Sequence, residues 1–599
     1  MSDTSDPATA PPRRIQTHRG GPAGDSASRE SVSRLRGELG ALKAAKQALP
    51  FLKRALRHIA GKDYAAAREA AQKAVDRDPS LIHAWHLLAI AREQLGDWPG
   101  ALQAYERGLS LDPANPPIAN DLGRLAFKME MLPQAEALFR HYLAFRPNAP
   151  ESTNNLACVL RSQMRYDEAI EVLKPALQAH PDKVMLWNTL GTVMEDMGET
   201  EQAGLFYGEA LRLDPTQAKA RYNLANAMFA AGQHDEAINQ CREAMDGART
   251  SEDLTMMRFA LATMLLATGR LGEGWDAYAA RLKRTYYDPV DFVVPVPRWE
   301  PGTDLAGRRL LLVGEQGLGD EVLFANVVAD VEQALGCSGR LTLAVTDRLR
   351  TLFARSFPQA EVGAHASQKV QGRTARRIPF LEEDWSRIDA WAPLGEALRH
   401  FRRSIDAYPH RPQGFMTPDP DRVLYWRDAL SGLPGRKVGL LWTSMVIDST
   451  RHRHFAPFEK WAPVLQTPGV SFVNLQYGDQ SQSIERARKE FGVEIHQPAS
   501  IDLKNDLDDV AALACALDLT VGFSNASFNL AAACGASTWL LTSSENWARL
   551  GAEHYAWYSQ VRMFWPRVAA DWDALMGDLA AALGEYARAD APIATAVGA

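Results

Sequence analysis

Residues 82–115 read IHAWHLLAIAREQLGDWPGALQAYERGLSLDPAN, and this stretch decides the N-terminal half of the chain. Counting Ile82 as position 1, Trp85, Leu88, Ala89, Gly96, Ala101, Tyr105, Gly108 and Pro113 fall at positions 4, 7, 8, 15, 20, 24, 27 and 32. The same pattern returns with Leu122, Gly123, Ala135 and Phe139, with Leu156, Ala157, Ala169 and Ala176, with Trp187, Leu190, Gly191, Ala203 and Tyr207, and with Leu224, Ala225 and Ala237. Pro79, Pro113, Pro147, Pro181 and Pro215 punctuate it at 34-residue intervals. Small residues at three fixed positions let two helices approach, large ones fill the gaps between them, and proline ends the second helix because it has no N–H for the next backbone bond.

A 34-residue period of this kind is the mark of tetratricopeptide repeats, helix-turn-helix units that stack into an α-superhelix because none can bury its apolar face alone. Six units span about 48–251, and a degenerate seventh follows at Leu261, Ala262, Gly269, Gly274 and Tyr278. Amide side chains recur on the first helix of successive units: Asn120, Asn155, Asn188, Asn223 and Asn226. They either solvate a helix face or form a ladder that grips the backbone of a bound polypeptide. The segment 223–226 resembles the asparagine-lined groove of the repeat domain in nuclear and cytoplasmic O-GlcNAc transferase.

Composition bounds the rest. The 599 residues are 46% hydrophobic and 23% charged, with a net charge of −7, which fits a multidomain globular chain and argues against nucleic acid as the main partner. Five dispersed cysteines without a C-x-x-C pair exclude a disulfide framework and a zinc site of that kind, and suit a reducing compartment. No apolar run reaches the length of a membrane span, and residues 1–35 read as a disordered tail without a signal core. The cytoplasm is the expected location.

Beyond about 295 the period is gone. Arg309–Val313 is a short apolar run that suits a buried parallel strand, followed by the glycine loop Gly314-Glu315-Gln316-Gly317-Leu318-Gly319-Asp320 and a helix over Val322–Leu335. Strands are expected at Leu341–Val345, Lys437–Trp442, Val470–Leu475, Leu517–Phe523 and Thr538–Thr542, and helices at Leu507–Ala516 and Phe528–Cys534. The pattern is two α/β units, with ligands expected at the carboxyl ends of the strands.

The blocks Trp299-Glu300-Pro301-Gly302, LLLVGEQGLGDEVLFANVV (310–328), Val438–Trp442, Phe472–Gln476, Leu517-Asp518-Leu519 and Trp557-Tyr558 with Arg562-Met563-Phe564 resemble, in order, bacterial proteins that join tetratricopeptide repeats to a heptosyltransferase-like glycosyltransferase domain. Within that group the arrangement is most similar to the flagellin glycosyltransferases of alphaproteobacteria. The resemblance implies an α-superhelix followed by a GT-B fold of two Rossmann-like domains. It divides the chain into a repeat domain at 36–285, an N-terminal GT-B domain at 286–420 and a C-terminal, donor-binding domain at 421–590. It further implies an inverting, metal-independent enzyme that captures flagellin through its repeats. Such an enzyme moves a nonulosonic acid, pseudaminic acid in the best-known case, from a CMP-activated donor to serine or threonine, with no other cofactor.

On that reading Asp320 is the general base, since transfer to a hydroxyl needs a carboxylate to take its proton. Glu315 substitutes for it or orients the acceptor. Arg453 neutralises the leaving phosphate. Gly317, Gly319, Thr443, Ser444, Ser524, Asn525, Ala526, Ser527 and Asn529 hold the donor, the 524–527 turn because free N–H groups at a helix start favour phosphate. Plain helix capping is the alternative for Asp320 and for the 524–527 turn. Ser524, Asn525 and Asn529 depart from the Asp-Thr and histidine usual among heptosyltransferase-like relatives, which points to a different sugar nucleotide. Two other readings stay open: a repeat scaffold or chaperone with an inactive α/β half, and a glycosyltransferase with a non-protein acceptor.

Overall fold

The structure is a computed structural model that describes residues 47–370, 373–444, 454–566 and 571–589. The expected tail at 1–35, together with Arg451 and Arg453, lies outside the described residues. The chain forms two compact units, one ending at Ala231 and one beginning at Gly232.

The described residues of the first unit form helices joined by short turns, as the repeat demands. Helix pairs run Leu49–Ala60 with Tyr64–Arg77, Ile82–Gln94 with Trp98–Leu111, Pro116–Lys128 with Leu132–Phe145, Pro150–Ser162 with Tyr166–Ala179, and Val184–Met197 with Thr200–Leu213, followed by Ala218–Ala230. Each second helix stops two residues before its proline. Proline disfavours helical backbone in the residue ahead of it, and Asp78, with φ −145° and ψ 91°, is extended accordingly. Asp63, Asp97 and Asn115 start helices by accepting a backbone N–H with their side chains.

The small positions do the work assigned to them. A Cβ placed on Gly191 would lie 2.5 Å from the Tyr207 ring, and one on Gly123 would lie 3.0 Å from Phe139. The aromatic residue of the second helix thus packs directly on the backbone of the first, as interior packing density requires.

The second unit opens with helices His234–Asp246, Ser251–Ala267 and Leu271–Tyr278. The degenerate seventh repeat therefore belongs to the α/β half, so the compact-unit boundary falls at 231/232 and not at 285. Trp275, 1% exposed, packs edge-on against Trp547 and Trp557 with ring centroids 6.2 Å apart.

Among the described residues thirteen strands follow. β2 (Arg309–Val313), β3 (Arg340–Val345), β4 (Glu361–Ala364) and β7 (Ala390–Pro393) form a parallel sheet in the order β4-β3-β2-β7. β8 (Arg436–Leu441), β9 (Val470–Asn474), β10 (Ile495–His496), β11 (Leu519–Phe523), β12 (Thr538–Leu541) and β13 (Arg562–Phe564) form a second parallel sheet in the order β10-β9-β8-β11-β12-β13. Their apolar runs are buried, as parallel sheets covered on both faces require.

A small third sheet, β1 (Val290–Phe292), β6 (Arg373–Arg377) and β5 (Ala366–Val370), was not expected from the sequence. It carries Arg376, whose guanidinium donates to the Gly314 carbonyl of the glycine loop. The expected helix over Val322–Leu335 is instead two helices, Leu318–Phe324 and Val328–Leu335, joined by a 3₁₀ turn at Ala325–Val327. Buried Asn326 sits at that break, donating to the Trp557 carbonyl and accepting from Arg402.

Candidate functional site

In both parallel sheets the chain runs outward in one direction, then returns to lay a strand on the other side of the first one. The reversal lies between β2 and β7 in one sheet and between β8 and β11 in the other. Open α/β sheets form their ligand crevice beyond the carboxyl ends at such a reversal. The glycine loop leaves β2 there, and the turn 524–527 leaves β11 there.

The two loops meet. A Cβ on Gly319 would lie 3.2 Å from Asn529 Nδ2 and 3.5 Å from the Ala526 nitrogen, so the glycine permits close approach to the start of helix Ala526–Ala533. Asp320 stands one residue further on, half-buried, its Oδ2 accepting the Gly317 N–H at 3.2 Å. It caps the helix, as one sequence reading had it. Its charge is also felt by the phenols of Tyr278, Tyr555 and Tyr558, which burial pushes well up. Gln316 takes a positive φ of 60°, the bend that turns the loop back toward Gly317.

Glu315 is placed otherwise than a catalytic or acceptor-orienting role requires. It is 2% exposed, and its two oxygens accept from Arg281 Nη2 at 2.6 Å and Nε at 2.8 Å. One oxygen also accepts the Gly395 N–H, which begins the segment after β7. With its acceptors filled and water excluded, it anchors the loop. The sequence gives no sign of this pair, whose members lie 34 residues apart.

Glu321 is likewise buried, accepting from the Thr346 backbone at 2.8 Å and hydroxyl at 2.7 Å, with His365 Nε2 at 3.1 Å. Burial alone would raise its pKa. The charge and bond of His365, with Arg376 and the Thr346 N–H, outweigh that and hold it below the usual glutamate range.

On the second sheet Asn525 Oδ1 accepts the Phe528 N–H at 2.9 Å, so it caps its helix. Ser524 is exposed, Ala526 half-buried and Ser527 buried. Asn529, buried, accepts from the Tyr558 hydroxyl at 3.2 Å. Thr443 follows β8, half-buried beside Ser444, and its N–H reaches Gln476 Oε1 at 3.3 Å. Trp557 and Tyr558 are core residues at 1% and 2% exposure.

Buried donor atoms without a hydrogen-bond partner among the described residues include Gln476 Nε2, Asn525 Nδ2, Thr542 Oγ1 and Arg549 Nε. They follow β9, β11 and β12. Buried donors are ordinarily satisfied, so donors left open on the segments past these strands suit an acceptor-rich, anionic ligand. Gln476, Thr542 and Arg549 were not singled out from sequence, although Gln476 and Thr542 stand just past strands that the sequence does show.

The repeat asparagines are not a free ladder. His86 bonds Asp121 at 2.7 Å, Thr189 bonds Asn154 at 2.5 Å, and Asn223 Nδ2 bonds Asn188 Oδ1 at 2.9 Å, all across 35 residues from one repeat to the next. Asn120 Oδ1 accepts from Ser152 at 2.7 Å. These amides hold repeats together. Asn155, 1% exposed, has both amide atoms without a partner among the described residues, and half-buried Asn226 bonds only its own helix, at Tyr222 O.

Among the described residues no helix is long and apolar enough to cross a membrane, and no cluster of three metal-ligating side chains occurs.

Fold and site thus define a tetratricopeptide-repeat protein whose last repeat is built into a unit of two parallel sheets. The tetratricopeptide repeat family matches residues 52–116, 94–153 and 196–258. The chain belongs to the family of Protein FlbA of Caulobacter vibrioides, to which it is 48% identical over 565 residues, 94% of this chain and 94% of that protein. The peroxisomal targeting signal receptor of Kluyveromyces lactis is 24% identical over 221 residues, 31% of this chain and 39% of the receptor. Among solved structures, a tetratricopeptide repeat protein from Parabacteroides merdae aligns with 39% of this chain and 91% of its own at 14% identity and a TM-score of 0.36.

Proposed function

We propose that the chain is a protein O-glycosyltransferase with a GT-B catalytic half, in which the repeats capture flagellin and the two-sheet unit transfers a nonulosonic acid from a CMP-activated donor to serine or threonine. The observation that carries the reading is the meeting of the glycine loop with the 524–529 segment where both sheets reverse. That meeting puts a carboxylate, Asp320, within one residue of contact with the turn assigned to the donor.

On this reading Asp320 takes the proton of the acceptor hydroxyl as the glycosidic bond forms. Ser524–Ser527, with Thr443 and Ser444, receives the nucleotide, and the departing phosphate is stabilised by the N–H groups at the start of helix Ala526–Ala533 and by a cation. Arg453 is the cation that the family resemblance assigns. Gly317 and Gly319 keep the crevice open to the donor, and Asn529 supports the turn. Of the repeat amides, half-buried Asn226 remains available to an acceptor backbone, whereas Asn155 is enclosed.

The test is direct. Purified protein is incubated with unmodified flagellin and CMP-nonulosonic acid, and the flagellin is weighed by mass spectrometry. A mass gain of one or more sugar residues supports the proposal. No gain, beside an active control enzyme, refutes it and leaves the scaffold reading.

A further inference from the structure

Arg549 stands on the segment that leaves β12, the strand next in the sheet to β11, from which the 524–527 turn departs. Its guanidinium lies over the Trp565 ring at 4.1 Å, and Trp565 directly follows β13. Nη1 donates to the Ser544 carbonyl at 2.9 Å. Nε is buried and has no partner among the described residues. Glu545 and Glu553 act on the group only at a distance, since no described carboxylate forms an ion pair with it.

This is an unusual state for an arginine. Arg549 is half-buried, and that partial burial pulls its pKa below the ordinary value, with no ion-paired carboxylate to offset it. Stacking on an indole fixes the plane of the fork, and the Ser544 bond fixes its rotation. A guanidinium held in that way is prepared for an oxyanion that accepts two parallel N–H bonds. Two further unpartnered buried donors, Thr542 Oγ1 and Asn525 Nδ2, belong to the same post-β12 segment and to the turn after β11.

We infer that Arg549 binds the phosphate of the nucleotide donor, with Trp565 as the platform that holds it, and that it neutralises that phosphate as the sugar leaves. The inference rests on the donor-site reading above and names a residue that reading lacked.

Titration calorimetry on the full chain tests it, with CMP, cytidine and inorganic phosphate as probes, on wild type, Arg549→Gln and Arg549→Lys. Near-ultraviolet dichroism and melting confirm that each variant is folded. The expected result is CMP binding weakened on the order of 10- to 100-fold in Arg549→Gln, the loss of a charged hydrogen-bond pair. Arg549→Lys should fall between, because it keeps the charge and loses the fork. Cytidine, which has no phosphate, should bind all three alike.

Equal CMP affinity in wild type and Arg549→Gln overturns the assignment and leaves the donor site standing. Phosphate binding that depends on Arg549, without any binding of CMP, upholds the assignment and removes the cytidylyl donor. A wild type that binds neither CMP nor phosphate overturns both.

Discussion

Arg281 and Glu315 form a two-pronged ion pair, Nη2 to Oε1 at 2.6 Å and Nε to Oε2 at 2.8 Å, with both side chains at 3% exposure or less. Arg281 comes just after the last repeat helix, and Glu315 opens the glycine loop. Arg281 also reaches Glu396 at 3.4 Å and lies over the Tyr278 ring at 4.5 Å. The pair therefore ties the end of the helical array to the mouth of the first sheet. Removing one partner leaves an uncompensated buried charge. Arg281→Met should destabilise the second unit by about 3–5 kcal/mol, while the double variant Arg281→Met/Glu315→Leu should recover much of the loss. Denaturant titration of the three proteins measures both.

Asp320→Asn keeps an oxygen able to accept the Gly317 N–H and removes the carboxylate proposed as the base. Melting should be close to wild type. Transfer to flagellin should drop between about a hundredfold and ten thousandfold, the usual span for a general base. Initial rates by mass spectrometry decide it, and an undiminished rate moves the proton acceptor elsewhere.

Glu321 sets a pH dependence. Its folded pKa lies below its unfolded value, so the unfolded chain binds the extra proton first as pH falls. The stability it contributes is complete above about 4.3, the ordinary glutamate value, and is lost below it as the folded value is passed. Glu321→Gln should be less stable at neutral pH and should lose less on acidification than wild type does. Melting curves of both proteins from about pH 6 down to about pH 3 give the comparison.

The repeat amides divide by what they touch. Asn223→Ala strips Asn188 Oδ1 of its buried donor and should cost about 1–3 kcal/mol. Asn226→Ala breaks only a bond within its own helix and should leave melting nearly unchanged while weakening flagellin capture. Calorimetric melting paired with flagellin pull-down separates the two effects.

The helical half was legible almost to the residue. Helices begin at Ile82, Pro116, Val184 and Ala218, the positions that the period marks, because each pair is specified by contacts within one repeat. The main strands were legible because buried parallel strands are unbroken apolar runs, and helix Leu507–Ala516 falls where its pattern put it. What escaped depends on distance along the chain. β1, β5 and β6 are short or arginine-rich and acquire meaning only when Arg376 reaches Gly314. The interruption at Ala325–Val327 exists because Asn326 is claimed by Arg402 and Trp557, residues with no local signature. The nearness of Gly319 to Asn529 spans more than two hundred positions. At the site, residue identities near the loops were readable, whereas the burial of Glu315 and the mutual bonding of Asn188 and Asn223 were not.

The seventh helical pair has a practical corollary for dissecting the chain. A fragment starting at residue 286 would strip Trp547 and Trp557 of the indole of Trp275 and deprive Glu315 of its ion-pair partner Arg281. One cut between 231 and 232 retains both. The compact unit that carries both sheets begins inside what looks, letter by letter, like its neighbour.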